Sequence, residues 1–497
     1  MKKVVLLPLD ERPCNFEFPY KLFNNDELEI IRPSKLGDKK IPANSYEVIE
    51  FLKTTTIEAD GLVISIDTLL YGGLIPSRLH YLTDDELQDR LNVLKEIKQK
   101  NPSLIIYAFA CIMRCPKYSS SDEEPDYYEI CGAEIHKIGA VIHKHKLGEF
   151  ELPQIEDLKR IAKDEYLFDY TDRRKVNLDY NIKTIDLVQE GIIDFLVIPQ
   201  DDSAEYGFTA MDQIVVRDRI NETVLNSKIY VYPGADEVAL TLLARMSNKF
   251  LLKKPKVYVR YSSTLAMSVV PPYEDRVISE TIKYHLLSAG CRVVDSLGEC
   301  DFVLAVNCPS NAIKEAVYQP VTNKDYSVNR NLTEFVDFIA DCIADNIPVS
   351  ISDSAYANGG DLEFIKILNK HHLLDKVSSY AGWNTNANTL GTTIGHAVYN
   401  LNFKQSKLDF LMLRYYEDVL YCSKVRRYVA DHYLEINEMN YFDVKEEQGI
   451  ISEIINQSLV EFSREYLSSI CNKVQINHIR MPWRRMFEVD IDLSYIN

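Results

Sequence analysis

Short apolar runs recur along the chain, and the segments between them have helical periodicity. Short runs rich in Val, Ile and Leu predict buried strands, and their alternation with helices indicates a parallel sheet. The eight runs that we predict as strands are Val4–Leu9, Leu62–Ile66, Leu104–Ala110, Phe195–Pro199, Ile229–Tyr232, Val257–Tyr261, Phe302–Asn307 and Val349–Ser352. Because eight strands close a barrel, we predict an α/β fold of the (β/α)8 TIM-like type.

The same pattern predicts the domain organisation. Residues 1–400 are predicted to form the barrel, with a polar helical insertion at residues 115–180. Residues 401–497 have a helical pattern and are predicted to pack on the barrel. A ninth short run, Val377–Tyr380, conflicts with the count of eight; if it is a strand, Phe302–Asn307 belongs to an insertion.

Composition narrows the class of protein. The chain has 497 residues, of which 46% are apolar, and a formal net charge of −18 at pH 7. The acidic excess argues against nucleic-acid or anionic-membrane partners, which need clustered Lys and Arg. Too few apolar residues precede Asp10 for a signal peptide or membrane span, so we expect a cytoplasmic protein. The ten cysteines lack paired zinc-site spacing, and we expect them to be reduced.

Most of the predicted strands end directly in acidic or amide side chains. Ligands of parallel α/β folds bind at the carboxyl ends of strands, so this pattern predicts an acidic site for a polyhydroxyl ligand. The central motif is Gln200-Asp201-Asp202. Two adjacent carboxylates suit acid–base catalysis, because the charge of one raises the pKa of the other. Alternatively, Asp202 and Glu205 form a capping box at a helix start.

Two further motifs supply acidic residues beside this pair. Asp10, Glu11 and Arg12 follow the first strand, where Asp could bind a sugar hydroxyl; a structural salt bridge is the alternative. Asp236 and Glu237 follow the fifth strand, where Asp236 alternatively caps the next helix. We predict all five as substrate-binding residues.

Two loop motifs complete the predicted substrate site. The first contains Asp67, Tyr71 and Arg78, with paired glycines that let backbone approach a ligand and a Tyr ring for stacking. In the second, short hydrogen-bonding side chains beside a Trp suit a sugar platform, and a turn-rich loop is the alternative. Its predicted binding residues are Asp353, Asn358, Trp383, Asn384 and Asn388.

Several of these motifs carry a resemblance to known families. LLPLDERPCN, SIDTLLYGGLIPSR, PQDD, PGADE and YAGWNTNANTLGT resemble the bacterial domain-of-unknown-function family 4127 over nearly the whole chain. The order of the motifs is also similar to that of the O-GlcNAcase-like β-N-acetylglucosaminidases, whose barrels carry an Asp-Asp pair after strand four. That second resemblance implies that Asp201 orients the acetamido group of the substrate and that Asp202 is the general acid and base.

The expected function is therefore that of a glycoside hydrolase, a retaining β-N-acetylhexosaminidase in which the 2-acetamido group of the substrate assists catalysis. Such chemistry needs no metal or organic cofactor. The expected partner is a small carbohydrate, and the oligomeric state, including a homo-oligomer, stays open. Three alternatives remain: a two-carboxylate glycosidase using Asp202 and Glu237, a metal-dependent hydrolase or lyase, and a non-catalytic sugar-binding protein.

Overall fold

The chain divides into two compact units. The computed structural model describes residues 1–149 and 155–496. The first unit contains Met1–Ala239 and Tyr273–Asp275, and the second contains the rest of the described chain. The division falls within one helix, Val238–Phe250, so it does not coincide with the predicted boundary at residue 400.

The first unit is built on a six-stranded sheet. Its strands pair in the order β2-β1-β3-β4-β5-β6, and every pairing is parallel. All residues of β3 and β5 are buried, as expected for continuous apolar runs. The strands are β1 (Lys2–Leu7), β2 (Leu28–Ile31), β3 (Gly61–Ser65), β4 (Ile105–Phe109), β5 (Phe195–Gln200) and β6 (Ile229–Pro233).

Helices connect these strands, and two of them, with most of a third, fall in the segment predicted as a helical insertion. Residues 150–154 of that segment lie outside the described residues. The helices are α1 (Pro13–Phe16), α2 (Phe18–Phe23), α3 (Ser45–Thr55), α4 (Ile66–Tyr71), α5 (Asp84–Lys100), α6 (Tyr128–Lys146), α7 (Ile155–Lys159), α8 (Asp164–Gln189) and α9 (Phe208–Thr223), and α10 (Val238–Phe250) leads into the second unit.

The second unit contains a five-stranded parallel sheet and two short strand pairs. The sheet order is β13-β11-β9-β7-β8; β10 pairs with β12, and β14 pairs antiparallel with β15. The strands are β7 (Lys256–Tyr261), β8 (Arg292–Val294), β9 (Phe302–Asn307), β10 (Lys314–Glu315), β11 (Val349–Asp353), β12 (Tyr356–Ala357), β13 (Ser379–Ala381), β14 (Val474–Arg480) and β15 (Asp490–Tyr495).

The helices of the second unit include an unusual π-helix, Tyr415–Val425. The predicted helical region at 401–497 is only partly helical, because β14 and β15 close it with alternating, half-exposed side chains. The α-helices are α11 (Ile278–Ser288), α12 (Lys324–Ser327), α13 (Leu332–Ala344), α14 (Leu362–Lys370), α15 (Asn386–Phe403), α16 (Leu408–Arg414), α17 (Arg426–Tyr433) and α18 (Ile450–Tyr466).

The predicted α/β class is confirmed, but the described residues show no closed barrel. The eight predicted strands are shared between the two sheets, and the ninth run, Val377–Tyr380, overlaps β13. The suspected insertion, Phe302–Asn307, is β9, the central strand of the second sheet. Both sheets have the doubly wound order 2-1-3-4-5, which a sixth strand extends in the first sheet, and the second strand along the chain forms the sheet edge next to the first strand. An alternating pattern of strands and helices is common to barrels and to open sheets, so it did not distinguish them.

Gly72 offers a test of the local packing. Its φ is 89°, and a Cβ there would lie 2.6 Å from Pro42 Cβ and 2.8 Å from Ala43 N. We expect Gly72→Ala to lower the free energy of unfolding by more than about 2 kcal/mol, because left-handed strain and a steric clash add. Gly191→Ala is the matched control, since Gly191 has φ 76° and nothing within 4 Å, and should cost about 1 kcal/mol. Equal unfolding midpoints in urea for the two variants would contradict the clash.

Candidate functional site

The carboxyl edge of the first sheet gathers charged side chains from five strands. Parallel strands end at a common edge, and the loops after β1, β3, β4, β5 and β6 each place an acidic or basic residue there. The residues that share this edge are Asp10, Arg12, Asp67, Arg78, Arg114, Asp201, Asp202 and Asp236. All except Arg114 were predicted from the sequence.

Arg12 joins the loops after β1 and β6. Its Nη2 donates to Asp10 Oδ2 at 2.7 Å and to Asp236 Oδ1 at 2.6 Å. Asn15 Nδ2 donates to the same two carboxylates at 2.9 Å. Since β1 and β6 are four spacings apart in the sheet, roughly 19 Å, their loops must meet above its carboxyl edge. The buried salt bridge proposed as the structural alternative for Arg12 is therefore present, and it also shapes the site.

Asp201 and Asp202 are held by two different arginines. Arg78 Nη2 donates to Asp201 Oδ2 at 2.7 Å, and Arg114 Nη1 donates to Asp202 Oδ2 at 3.1 Å. The Asp side chains are 19% and 18% exposed, so solvent reaches both. Asp202 has φ 44°, which turns the chain away from strand geometry at the end of β5. That turn allows two consecutive carboxylates to face one pair of arginines.

The capping-box alternative for Asp202 is wrong. Helix α9 begins at Phe208, and its N-cap is Gly207, with no side-chain cap. Asp236 lies two positions before the next helix, which begins at Val238, and its carboxyl group binds Arg12 and Asn15.

Burial raises the pKa of three carboxyl groups at this edge. For Asp202, burial and the neighbouring Asp201 charge raise the pKa to about 7, against the opposing effect of Arg114 and Arg78. Burial raises the pKa of Asp236 to about 7 despite Arg12, and that of Asp67 to about 6 despite the backbone N–H of Cys111. These groups can therefore hold or release a proton near neutral pH.

Three residues of the site were missed by the sequence analysis. Arg114 is the first charged residue after β4, five positions beyond the end of the strand, so a search of the loops after the strands could have found it. Glu123 and Glu124 lie in the polar loop before α6 and bind Arg78 and Arg114. Nothing in their local sequence distinguishes them from a solvated acidic loop.

Comparison with protein families identifies the chain. A family model described as "Protein of unknown function (DUF4127)" matches residues 4–492. The chain belongs to the DUF4127 family. No curated protein matches the chain.

In this DUF4127 chain the carboxylates of Glu11 and Glu237 accept hydrogen bonds from nearby backbone N–H groups. Glu11 Oε1 accepts from Lys39 N at 2.6 Å, and Glu237 Oε2 accepts from Ala235 N at 2.9 Å. Glu237 is fully buried, so the two-carboxylate alternative, which pairs it with Asp202 around a substrate, gains no support.

The predicted stacking role of Tyr71 does not fit its position. Tyr71 is 5% exposed, and its ring stacks on His80 at a centroid distance of 4.5 Å. The neighbouring Gly72 accommodates Pro42 and Ala43, whose backbone N–H donates to Gly72 O at 2.9 Å. The glycine pair thus serves backbone packing of this loop.

Asp353, one of the predicted residues of the second unit, belongs to a buried hydrogen-bond network within that unit. Asp353 is fully buried and accepts hydrogen bonds from Asn307 Nδ2 at 2.9 Å, Asp361 N at 2.8 Å and Tyr380 Oη at 2.7 Å. Burial raises the pKa of Asp353 to about 7. These contacts make Asp353 a structural acceptor.

The Asn-rich segment is likewise tied into the fold. Trp383 is 6% exposed, and its indole N–H donates to Thr392 Oγ1, so its ring offers no open sugar platform. Asn358 N donates to Asn384 O at 2.8 Å, and both residues have positive φ, as in the turn-rich alternative. Asn388 N donates to the N-cap Thr385 at the start of α15.

Neither a metal-binding cluster nor a membrane-spanning helix is present in residues 1–149 and 155–496. No three or more His, Cys, Asp or Glu side chains there are grouped so that they could hold a metal ion. None of the helices described is both long enough and apolar enough to cross a membrane.

The electrostatics of the Asp pair can be tested directly. We expect Asp201→Asn to lower the pKa of Asp202 by about one pH unit, because it removes the nearest like charge. Carboxyl 13C NMR of Asp-labelled protein would follow the titration, with the Asp202 signal assigned by its loss in Asp202→Asn. Glu205→Gln, in the same loop, is the control and should leave that signal unchanged. An unshifted Asp202 titration in Asp201→Asn would refute the coupling.

The structural role of Asp353 has its own test. Asp353→Ala leaves Tyr380 Oη and the backbone N–H of Asp361 buried without their acceptor and removes one of the two acceptors of Asn307 Nδ2, so we expect the free energy of unfolding to fall by about 3–5 kcal/mol. Asp295→Ala, at an exposed position of the same unit, should change stability by less than about 0.5 kcal/mol. Thermal and urea unfolding would measure both. Similar midpoints for the two variants would argue against the network.

Proposed function

We propose that the protein is a glycoside hydrolase whose general acid is Asp202. The observation that carries this proposal is the Asp201–Asp202 pair, in which two adjacent, partly exposed carboxyl groups are bound by Arg78 and Arg114. A carboxyl group with a pKa of about 7 is well matched to donating a proton at neutral pH. The neighbouring Asp201 can then accept a hydrogen bond from the substrate.

One oxygen of each carboxyl group is open to a substrate. Arg78 and Arg114 contact Oδ2 of Asp201, and Arg114 contacts Oδ2 of Asp202. Within the described chain, neither Oδ1 has a hydrogen-bond or ion-pair partner. The arginines therefore orient the two groups and leave one oxygen of each to contact the ligand.

The charge balance of the site supports a neutral polyhydroxyl substrate. Carboxyl groups outnumber arginines at this edge, so an anionic substrate would be repelled. The hydroxyl groups of a neutral sugar, by contrast, could donate hydrogen bonds to the carboxylates. The groups counted are Asp10, Asp67, Glu123, Glu124, Asp201, Asp202 and Asp236 against Arg12, Arg78 and Arg114.

The finer assignment is a retaining β-N-acetylhexosaminidase with substrate assistance. In this mechanism the acetamido oxygen attacks the anomeric carbon, the glycosidic C–O bond breaks, and Asp202 gives its proton to the leaving oxygen. Asp201 accepts a hydrogen bond from the acetamido N–H through Oδ1. Water then opens the oxazoline while Asp202 takes back a proton, which restores the enzyme.

Hydrolysis of chromogenic 2-acetamido glycosides tests this proposal. GlcNAc and GalNAc substrates in both anomers would be assayed with wild type, Asp201→Asn, Asp202→Asn and the control Glu205→Gln, with and without EDTA. We expect kcat to fall by about 10²–10⁴-fold in Asp202→Asn, with a smaller loss for leaving groups that need no protonation. Wild-type activity should decline as pH rises through about 7, because the acid must be protonated.

The pattern of failure would be informative. Activity that disappears with EDTA alone would favour a metal-dependent hydrolase or lyase. Absence of turnover on all of these glycosides, together with saturable binding of the free sugars, would favour a non-catalytic sugar-binding protein.

A further inference from the structure

Two glutamates of the loop between β4 and α6 bridge the arginines that hold Asp201 and Asp202. Glu124 Oε1 accepts from Arg114 Nε at 2.7 Å and from Arg78 Nη1 at 3.3 Å. Glu123 Oε2 accepts from Arg114 Nη2 at 2.8 Å and from Arg78 Nη1 at 3.3 Å. We call Glu123 and Glu124 the acidic clamp.

The acidic clamp is a fixed part of its loop. The side chain of Glu124 is 1% exposed, and that of Glu123 is 18% exposed. The preceding Asp122 forms an ion pair with Lys39, and Ser121 N donates to Glu129 Oε2 at 2.7 Å. The clamp is therefore anchored independently of the Asp pair that it influences.

The arginines transmit this influence. Arg78 and Arg114 stay charged, and each has a planar fork that is shared between a clamp glutamate and a carboxyl group of the pair. Without the clamp, both guanidinium groups would have to be neutralised by Asp201 and Asp202 alone. That arrangement would favour ionised aspartates and would deprive Asp202 of its proton.

We propose that Glu123 and Glu124 are positioning residues, which orient Arg78 and Arg114 and thereby keep Asp202 able to donate a proton. The role of the acidic clamp in hydrolysis rests on the proposed function, whereas its effect on the protonation of Asp202 does not. The charged and titratable groups that face Asp202 are Asp201, Arg114, Arg78, Glu123 and Tyr118. Of these, Asp201 and Glu123 raise the pKa of Asp202, and the two arginines lower it.

The test is a titration of Asp202 in the full chain by carboxyl 13C NMR, with Glu123→Gln, Glu124→Gln and the double variant. We expect each single substitution to lower the pKa of Asp202 from about 7, and the double substitution to lower it by about one pH unit or more. Asp126→Asn is the control, because Asp126 lies in the same loop but is fully exposed and pairs with Lys40 rather than with Arg78 or Arg114. Its Asp202 titration should equal that of wild type.

An Asp202 titration that is unchanged in Glu123→Gln and Glu124→Gln, or shifted equally by Asp126→Asn, would overturn the inference. If the Glu124→Gln variant does not fold, Glu123→Gln still tests whether the acidic clamp raises the pKa of Asp202, and Glu123→Asp, which keeps the charge but shortens the side chain, tests the positioning of the arginines. The hydrolysis assay separates the two proposals: a shifted titration without any turnover supports the clamp and rejects the hydrolase. With turnover, the alkaline limb of the pH–rate profile should move to lower pH in the clamp variants, and Glu124→Asp should restore it in part.

Discussion

The site depends on one constraint, that a buried guanidinium group must be surrounded by acceptors. Arg12, Arg78 and Arg114 are each less than 10% exposed, and charges removed from water are costly unless they are paired. Each arginine is shared by carboxylates from different loops. The planar fork of Arg suits such sharing, so three side chains tie together loops that begin at five different strands.

The same constraint produces the chemistry of the site. Because carboxyl groups exceed arginines in a buried place, some of them are more stable with a proton, and the pKa values of Asp202 and Asp236 rise to about 7. A proton donor arises here from burial and charge crowding. The left-handed turn at Asp202 adds geometry to this electrostatic effect by aligning its carboxyl group with that of Asp201.

The limits of the fold prediction are visible in particular strands. The apolar runs identified the buried strands correctly, because a strand covered on both faces has few polar positions. The strands β2 and β8 were missed: they lie at sheet edges and are only four and three residues long, so neither forms an apolar run long enough to be recognised. A barrel closes only when its first and last strands pair with each other, so the edge strands distinguish a barrel from an open sheet. Because these edge strands were not recognised, the count of eight runs could not distinguish one barrel from two sheets.

The sequence by itself determined that acidic residues stand at strand ends, and the parallel-sheet rule was enough to bring Asp10, Asp201 and Asp236 to one edge. Only the tertiary structure decided which of the predicted residues are buried acceptors, such as Asp353, or buried rings, such as Trp383. It also decided the pairing of Arg12 with Asp236, which are 224 positions apart. The local sequence pattern indicates which segments form buried strands. Burial of single side chains and the choice of ion-pair partner depend on loops that come together only in the folded chain.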